Sequence, residues 1–460
     1  MAAEANEEKP INQQLEELWT QNGEKRGVPQ SIRRLLNTAF TNVQVSSFPD
    51  LPSGKVVEIP GDSSIALAVQ TLAENNIFSA PVTNPEASPT DSWAARYKGI
   101  VDYPSIILWV LEQAEMAAAS FAAGSAAAVG MGAGAFGALG AIVLGLTGPV
   151  AIAGLATAAV GAAIAGGIAA ERGLGKDASA AADALGEDFY KVILQEEPFK
   201  STQVGEITKS YRWAPFLPIE PDESMLTVLL LLSKFRLRSI PVVNDCDPDV
   251  KNVITQSAVI QGLSLCRGRD WFDSLAGKSL FQIGLPVMSP DQMVSVDANQ
   301  LVLEAFILMK EKGIGGLPVV EGPEKKLKGN ISVRDVRYLL LQPDLFAHRR
   351  ELTIAEFMKT VKWIAPAETG LMPPITCEKT SKLGDVIETL SSKNIHRIYV
   401  VDKGSQVAGV ITLRDIIGCF VSEPEGYFDN YFGGAFKETI QSEQVLGDDY
   451  VEQDEADFIH

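Results

Sequence analysis

One pattern recurs four times along the 460-residue chain, and its spacing constrains the fold more tightly than any other feature. An amphipathic helix leads into a short apolar strand, and a loop, a second strand and another helix follow. The first strands are Ala80-Pro81-Val82, Ile240-Pro241-Val242-Val243, Leu317-Pro318-Val319-Val320 and Ile398-Tyr399-Val400-Val401. The second strands open at Gly99, Asn252, Gly329 and Gly409. Ahead of the third first strand, Leu301, Leu303, Phe306, Ile307 and Met309 give the helical period. Short apolar strands alternating with helices predict an α/β fold with buried sheet faces. Asn252 and Gly329 are 77 residues apart and Gly329 and Gly409 are 80 apart, but Gly99 and Asn252 are 153 apart. The surplus falls on one unusual stretch, about Glu115 to Glu187, so the chain reads as four repeats with one insertion.

The expected division is an N-terminal segment (1–48), an interrupted repeat 1 (49–114), the insertion (115–187), repeat 2 with a linker (188–275), repeat 3 (276–346), repeat 4 with a linker (347–422) and an acidic tail (423–460). Leu15 to Trp19 predict a short amphipathic helix packed on the repeats or on a partner. From Met116 to Ala170 no residue is charged, His, Asn or Gln. A loose Ala/Gly helical hairpin, or no order at all, is expected there; the rival reading is two membrane spans turning at Gly145 to Pro149.

The chain has 39 basic and 58 acidic residues, a formal net charge of −19, with 46% apolar content. That balance excludes global disorder and argues against wrapping nucleic acid or resting electrostatically on an anionic membrane. Cys246, Cys266, Cys377 and Cys419 lie at least 20 residues apart, which argues for a reducing compartment and against a zinc module or disulfide scaffold. The polar, acidic start shows no secretory or transit signal, so a cytoplasmic and/or nuclear location is expected.

Ligand chemistry concentrates in two repeats. Three and six positions after the residue opening the second strand, repeat 3 has Ser332 and Asp335 and repeat 4 has Thr412 and Asp415. Repeat 2 has Thr255 and Ala258 there, and repeat 1 has Asp102 and Ser105. A carboxylate at a strand-to-helix junction can accept hydrogen bonds from vicinal hydroxyls such as those of a ribose, and the hydroxyl residue can donate to a phosphate. The same pattern is a helix capping box. Repeats 1 and 2 keep their helices without the acid, so capping alone does not require it. Repeat 4 adds Lys393 and the pair His396-Arg397 before its first strand, a basic cluster suited to phosphate. Arg238 stands one position before Ser239-Ile240-Pro241 and reads as the counterpart of Arg397, with Leu237 in place of the His; repeats 1 and 3 offer Phe78 and Ile314-Gly315. His348-Arg349-Arg350 reads as a solvated run and Gly313 to Gly316 as a tight turn. With three histidines and neither a H-E-x-x-H motif nor a P-loop lysine, the chain reads as a binding protein, with no catalytic residues and no metal ligands to name.

These repeats resemble the cystathionine-β-synthase (CBS) module, two of which pair as a Bateman domain, and four in one chain resemble the γ regulatory subunits of AMP-activated protein kinase and of the plant sucrose-nonfermenting-related kinases. The resemblance is carried by Arg212-Trp213-Ala214-Pro215-Phe216-Leu217, Leu229 to Lys234, Asn252 to Ser257, Gly329 to Val336, Lys393 to Asp402 and Gly409 to Ile417. It implies a non-catalytic subunit of a heterotrimeric, energy-sensing serine/threonine kinase, assembled with a catalytic α subunit and a β scaffold. It implies a reversible ligand, AMP, ADP or ATP, with Asp335 and Asp415 on the ribose, His396, Arg397 and Arg238 on the phosphates, and Ser332 and Thr412 lining the same clefts. Repeat 1 departs from the pattern at Ser105 and Phe78-Ser79, and repeat 2 at Ala258 and Leu237, which leaves the binding chemistry chiefly to repeats 3 and 4 and favours a scaffold role with modest sensing. The rival expectations are a Bateman-type sensor acting on another partner, or an adaptor anchored to membrane through 116–170.

Overall fold

The computed structural model describes residues 11–23, 25–50, 56–75, 77–88, 91–102, 105–106, 109, 201–210, 216–235, 237–244, 247–336, 338–339, 344–345, 348–364, 373–402 and 404–428. The Ala/Gly-rich insertion, the acidic tail and Cys246 lie outside them.

Each repeat is built on an antiparallel hairpin. In repeat 1, β1 (Ile59–Pro60) lies parallel to β2 (Ser79–Thr83), which pairs with β3 (Tyr97–Asp102). Repeat 2 has β4 (Ser239–Asn244) and β5 (Asp247–Thr255), with Ile219 bridging in parallel to Val242 where the other repeats have a short strand. Repeat 3 has β6 (Val296–Asp297), β7 (Gly316–Glu321) and β8 (Lys326–Ser332); repeat 4 has β9 (Thr376–Cys377), β10 (Arg397–Val401) and β11 (Val407–Thr412). The sequence pattern had shown two strands per repeat; the third is only two residues long and pairs across the intervening helix, as Ile59 does with Val82.

The helices follow from where their apolar residues must go. Met225–Ser233 is hydrophobic on every side and is buried on every side, with Ser224 accepting a hydrogen bond from Thr227 N at its start. It packs with the terminal helix of repeat 4, Leu413–Phe420, in a core shared by repeats 2 and 4. The N-terminal helix Ile11–Asn22 adds Leu15 to this core, in line with the amphipathic helix expected there. Repeats 1 and 3 share a second core around Ile65, Leu72, Val302, Phe306 and Phe357. Two smaller clusters join the sheets, Tyr97, Phe216, Val243 and Val250 between repeats 1 and 2, and Val320, Tyr399 and Val407 between repeats 3 and 4.

Within each pair the lead-in segments are exchanged. Gln44, upstream of repeat 1, bridges to Ser224 of repeat 2, and Gln203, upstream of repeat 2, bridges to Ser64 of repeat 1. The same reciprocal exchange joins Ser279 to Lys382 and Leu301 to Thr353 in the second pair. Repeats 1 and 2 therefore form one module, repeats 3 and 4 another, and the two modules meet through their helices.

Candidate functional site

The two acid-bearing boxes take the same geometry. Asp335 Oδ2 accepts hydrogen bonds from Ser332 N and Ser332 Oγ, both at 2.7 Å. Asp415 Oδ2 accepts from Thr412 N at 2.8 Å and Thr412 Oγ1 at 2.7 Å, a complete capping box on the helix Leu413–Phe420. In repeat 3 the box opens a short 3-10 turn, Val333–Val336. In both boxes the hydroxyl residue is thus held against its carboxylate at the start of the turn that follows. In repeat 2, Thr255 Oγ1 accepts from Ala258 N at 3.1 Å and starts its helix with no acid present. Repeat 1 inverts the pair, with Ser105 N donating to Asp102 Oδ1 at 2.8 Å.

Strand register identifies the equivalent positions. Ser79 faces Asp102, Ser239 faces Thr255, Gly316 faces Ser332 and Arg397 faces Thr412. The residues just before these, Phe78, Arg238, Gly315 and His396, are therefore equivalents. The shared bonds from Gln256 N to Arg238 O, Val333 N to Gly315 O and Leu413 N to His396 O confirm it for repeats 2 to 4. Arg238 is thus the counterpart of His396, not of Arg397, and Leu237 matches Ile395, both packed into the apolar core.

These side chains converge on one hub. His396 Nε2 lies 3.1 Å from Ser257 Oγ of repeat 2 and 3.4 Å from Arg334 Nη1 of repeat 3. The Arg334 guanidinium lies over the Phe78 ring of repeat 1, 4.7 Å from its centroid. Arg397 reaches from repeat 4 into repeat 3, donating to Asn330 Oδ1 at 3.4 Å, while the Tyr399 hydroxyl donates to the same oxygen at 2.6 Å. The guanidinium lies against the backbone of Gly315 and Gly316; a Cβ on Gly316 would stand 1.2 Å from Arg397 Nη1. The glycines read from sequence as a turn do turn the chain at Gly313, where φ is +59°, and then make the seat for this arginine.

Crowding by like charge dominates the electrostatics. His396 is exposed at its surface but set among protein atoms; that desolvation, then the positive charges of Arg334, Arg397 and Arg238, lower its pKa to about 3. It is neutral at physiological pH. Burial lowers the pKa of Arg238, the Asp102 carboxylate opposes that shift, and Arg397 reinforces it. Burial raises the Tyr399 phenol, partly offset by Arg397. Three guanidiniums and an imidazole from three repeats are gathered here in a chain of net charge −19, a concentration of positive charge whose chemistry suits an anion.

Asp335 and Asp415 each face a strand-helix junction, while His396, Arg397 and Arg238 meet at the hub. Arg334, Ser257, Asn330 and Tyr399 were not singled out from sequence, and Phe78 was read only as a missing basic residue. Arg334 sits inside Ser332-Val333-Arg334-Asp335, but nothing in the sequence aims it at repeats 1 and 4. In the run His348-Arg349-Arg350, Arg349 is buried at 6% exposure, so that run is not wholly solvated.

The CBS domain model matches residues 204–264, 284–342 and 369–422, covering repeats 2 to 4. An Arabidopsis thaliana SNF1-related protein kinase regulatory subunit gamma-1-like protein is 53% identical over 90% of this chain and 93% of its own. The chain belongs to the γ regulatory subunits of the SNF1-related protein kinases. A second relative in that family, the Arabidopsis thaliana regulatory subunit gamma-1, is 35% identical over 93% of this chain and 92% of its own. A crystal structure from Methanocaldococcus jannaschii aligns with 82% of this chain and all of that one, at 15% identity and a TM-score of 0.48. As a γ subunit the chain is a non-catalytic regulator of a protein kinase built from CBS repeats, as the family resemblance implied.

Proposed function

We propose that this γ subunit binds AMP, ADP or ATP with its phosphates at the hub and its ribose at an acid box of repeat 3 or 4, and that it does so within a complex holding a catalytic α subunit and a β scaffold. The convergence of Arg238, Arg334, Arg397 and His396 on one point carries the reading. Guanidiniums match phosphate oxygens in bidentate geometry, and a neutral imidazole adds a donor without adding charge. Each box carboxylate holds its own hydroxyl residue through Oδ2, and a carboxylate carries lone pairs on both oxygens, the acceptor type that a ribose diol requires. Repeats 1 and 2 lack the acid at that position, so occupancy falls to repeats 3 and 4. A nucleotide bound here changes kinase output only as far as active and inactive complexes bind it unequally.

Titration calorimetry of the full chain with AMP, ADP and ATP tests the site, with saturable binding to one or two sites expected. Absence of heat with all three would sink the nucleotide reading. Gentle purification of the tagged chain from its native cells, followed by mass spectrometry, tests the complex; a kinase catalytic subunit and a β-type scaffold in near-equal amounts are expected.

A further inference from the structure

Repeat 1 has neither the box acid nor a basic residue at the hub position, yet Phe78 occupies that position and reaches the hub. We infer that Phe78 is a positioning residue, whose ring holds the Arg334 guanidinium against His396 so that repeat 1, without ligand chemistry of its own, sets one wall of the phosphate seat. Where this concerns ligand affinity it rests on the nucleotide reading above.

Arg334 stands among like charges. Arg397 adjoins His396 in the chain, and Arg238 lies within electrostatic reach of both, with Asp102 facing Arg238. A guanidinium on a flexible stem tends to swing away from two others into water, so a contact that helps hold it in place matters. An aromatic face with its centroid 4.7 Å away supplies that hold without adding a counter-charge. Held there, Arg334 donates toward His396 Nε2, which Ser257 Oγ also approaches at 3.1 Å. A ring nitrogen accepting from both must be unprotonated, so Arg334 helps fix the neutral imidazole with its proton on Nδ1. The contacts run Phe78, Arg334, His396, Ser257, one residue from each repeat, and Phe78 is the end that carries no charge.

A bland role competes, because Phe78 also packs against the core shared by repeats 1 and 3. Substitutions separate the two. Phe78→Leu keeps an apolar side chain and removes the ring face, Phe78→Tyr keeps the face, and Arg334→Gln removes the charge while leaving Phe78 in place. Should the leucine variant fail to fold, Phe78→Met replaces it.

The full chain has three histidines, so His396 can be followed by NMR with histidine-selective labelling. In the parent its resonance should not titrate between about pH 8 and pH 5, as expected of an imidazole crowded by cations. In Phe78→Leu and in Arg334→Gln the titration should move upward, in Phe78→Tyr it should match the parent, and Phe78→Leu should add nothing to Arg334→Gln. In calorimetry with ATP, Phe78→Leu should weaken binding about 3- to 10-fold, the scale of a cation–π contact. Identical His396 titration in the parent and Phe78→Leu overturns the inference, as does a Phe78→Leu effect that persists in the Arg334→Gln background. If the parent binds no nucleotide, the functional reading fails, and the NMR titration alone still decides the role of Phe78.

Discussion

Repeats 1 and 2 and repeats 3 and 4 are the same machine with different contents. Each pair exchanges its lead-in segments reciprocally, and each joins its two sheets through a small apolar cluster. Where the first pair places Tyr97 stacked on Phe216, with ring centroids 4.6 Å apart, the second places Tyr399, Asn330 and Arg397 in a polar network. Where the second pair has two acid boxes, the first has a lone hydroxyl cap at Thr255 and an inverted pair at Asp102 and Ser105. The difference shows that the scaffold does not depend on the binding chemistry: a single hydroxyl satisfies the helix start, so the acids of repeats 3 and 4 are surplus to folding.

The largest expected effect tests whether the halves are one body. Leu231 is fully buried in the core shared by repeats 2 and 4. Leu231→Ala should cost about 2–5 kcal/mol in urea denaturation while keeping one transition; two separated transitions would divide the molecule into independent pairs. Next, Arg397→Ala should weaken ATP binding by about 1.5–3 kcal/mol, the value of a charged hydrogen-bonding partner. Ser239→Ala, at the same register position in repeat 2, should leave affinity unchanged. Asp335→Ala and Asp415→Ala should each cost about 1–3 kcal/mol in calorimetry, and Ser105→Ala nothing; equal losses at all three would erase the distinction between the halves. Gly316→Ala should weaken binding less than Arg397→Ala, because its Cβ displaces the guanidinium without removing it.

The smallest effect is a pH slope. The folded pKa of His396, about 3, lies below the ordinary 6.5, so the unfolded chain takes up the proton more readily. The stability linked to the neutral ring is fully present above about pH 6.5 and is lost as pH falls toward 3. His396→Gln should flatten that part of a stability-versus-pH curve; an unchanged slope would assign it to the carboxylates.

Much of the framework was legible because it is local. Apolar strands such as Leu317 to Val320 and the spacing between second strands report the repeats directly, and Ser332 with Asp335 reports a strand-helix junction. The short strands were not legible, since Val296 has meaning only opposite Val319. The hub was half legible. Matching Arg238 to Arg397 by residue type slipped the register by one position, and a one-residue slip exchanges the faces of a strand. Phe78 and Arg334 belong to different repeats, and only the packing of repeat 1 on repeat 3 brings them together.

The exchanged lead-ins also set a timetable for the chain as it is made. Gln44 bridges to Ser224, 180 residues later, and Ser64 to Gln203, so repeat 1 leaves the ribosome with its final contacts not yet synthesised. Those bridges must wait through the whole intervening stretch before they can form. The first module thus becomes a finished folding unit only when repeat 2 emerges, and any break between residues 64 and 203 leaves two incomplete pieces in place of one shortened domain.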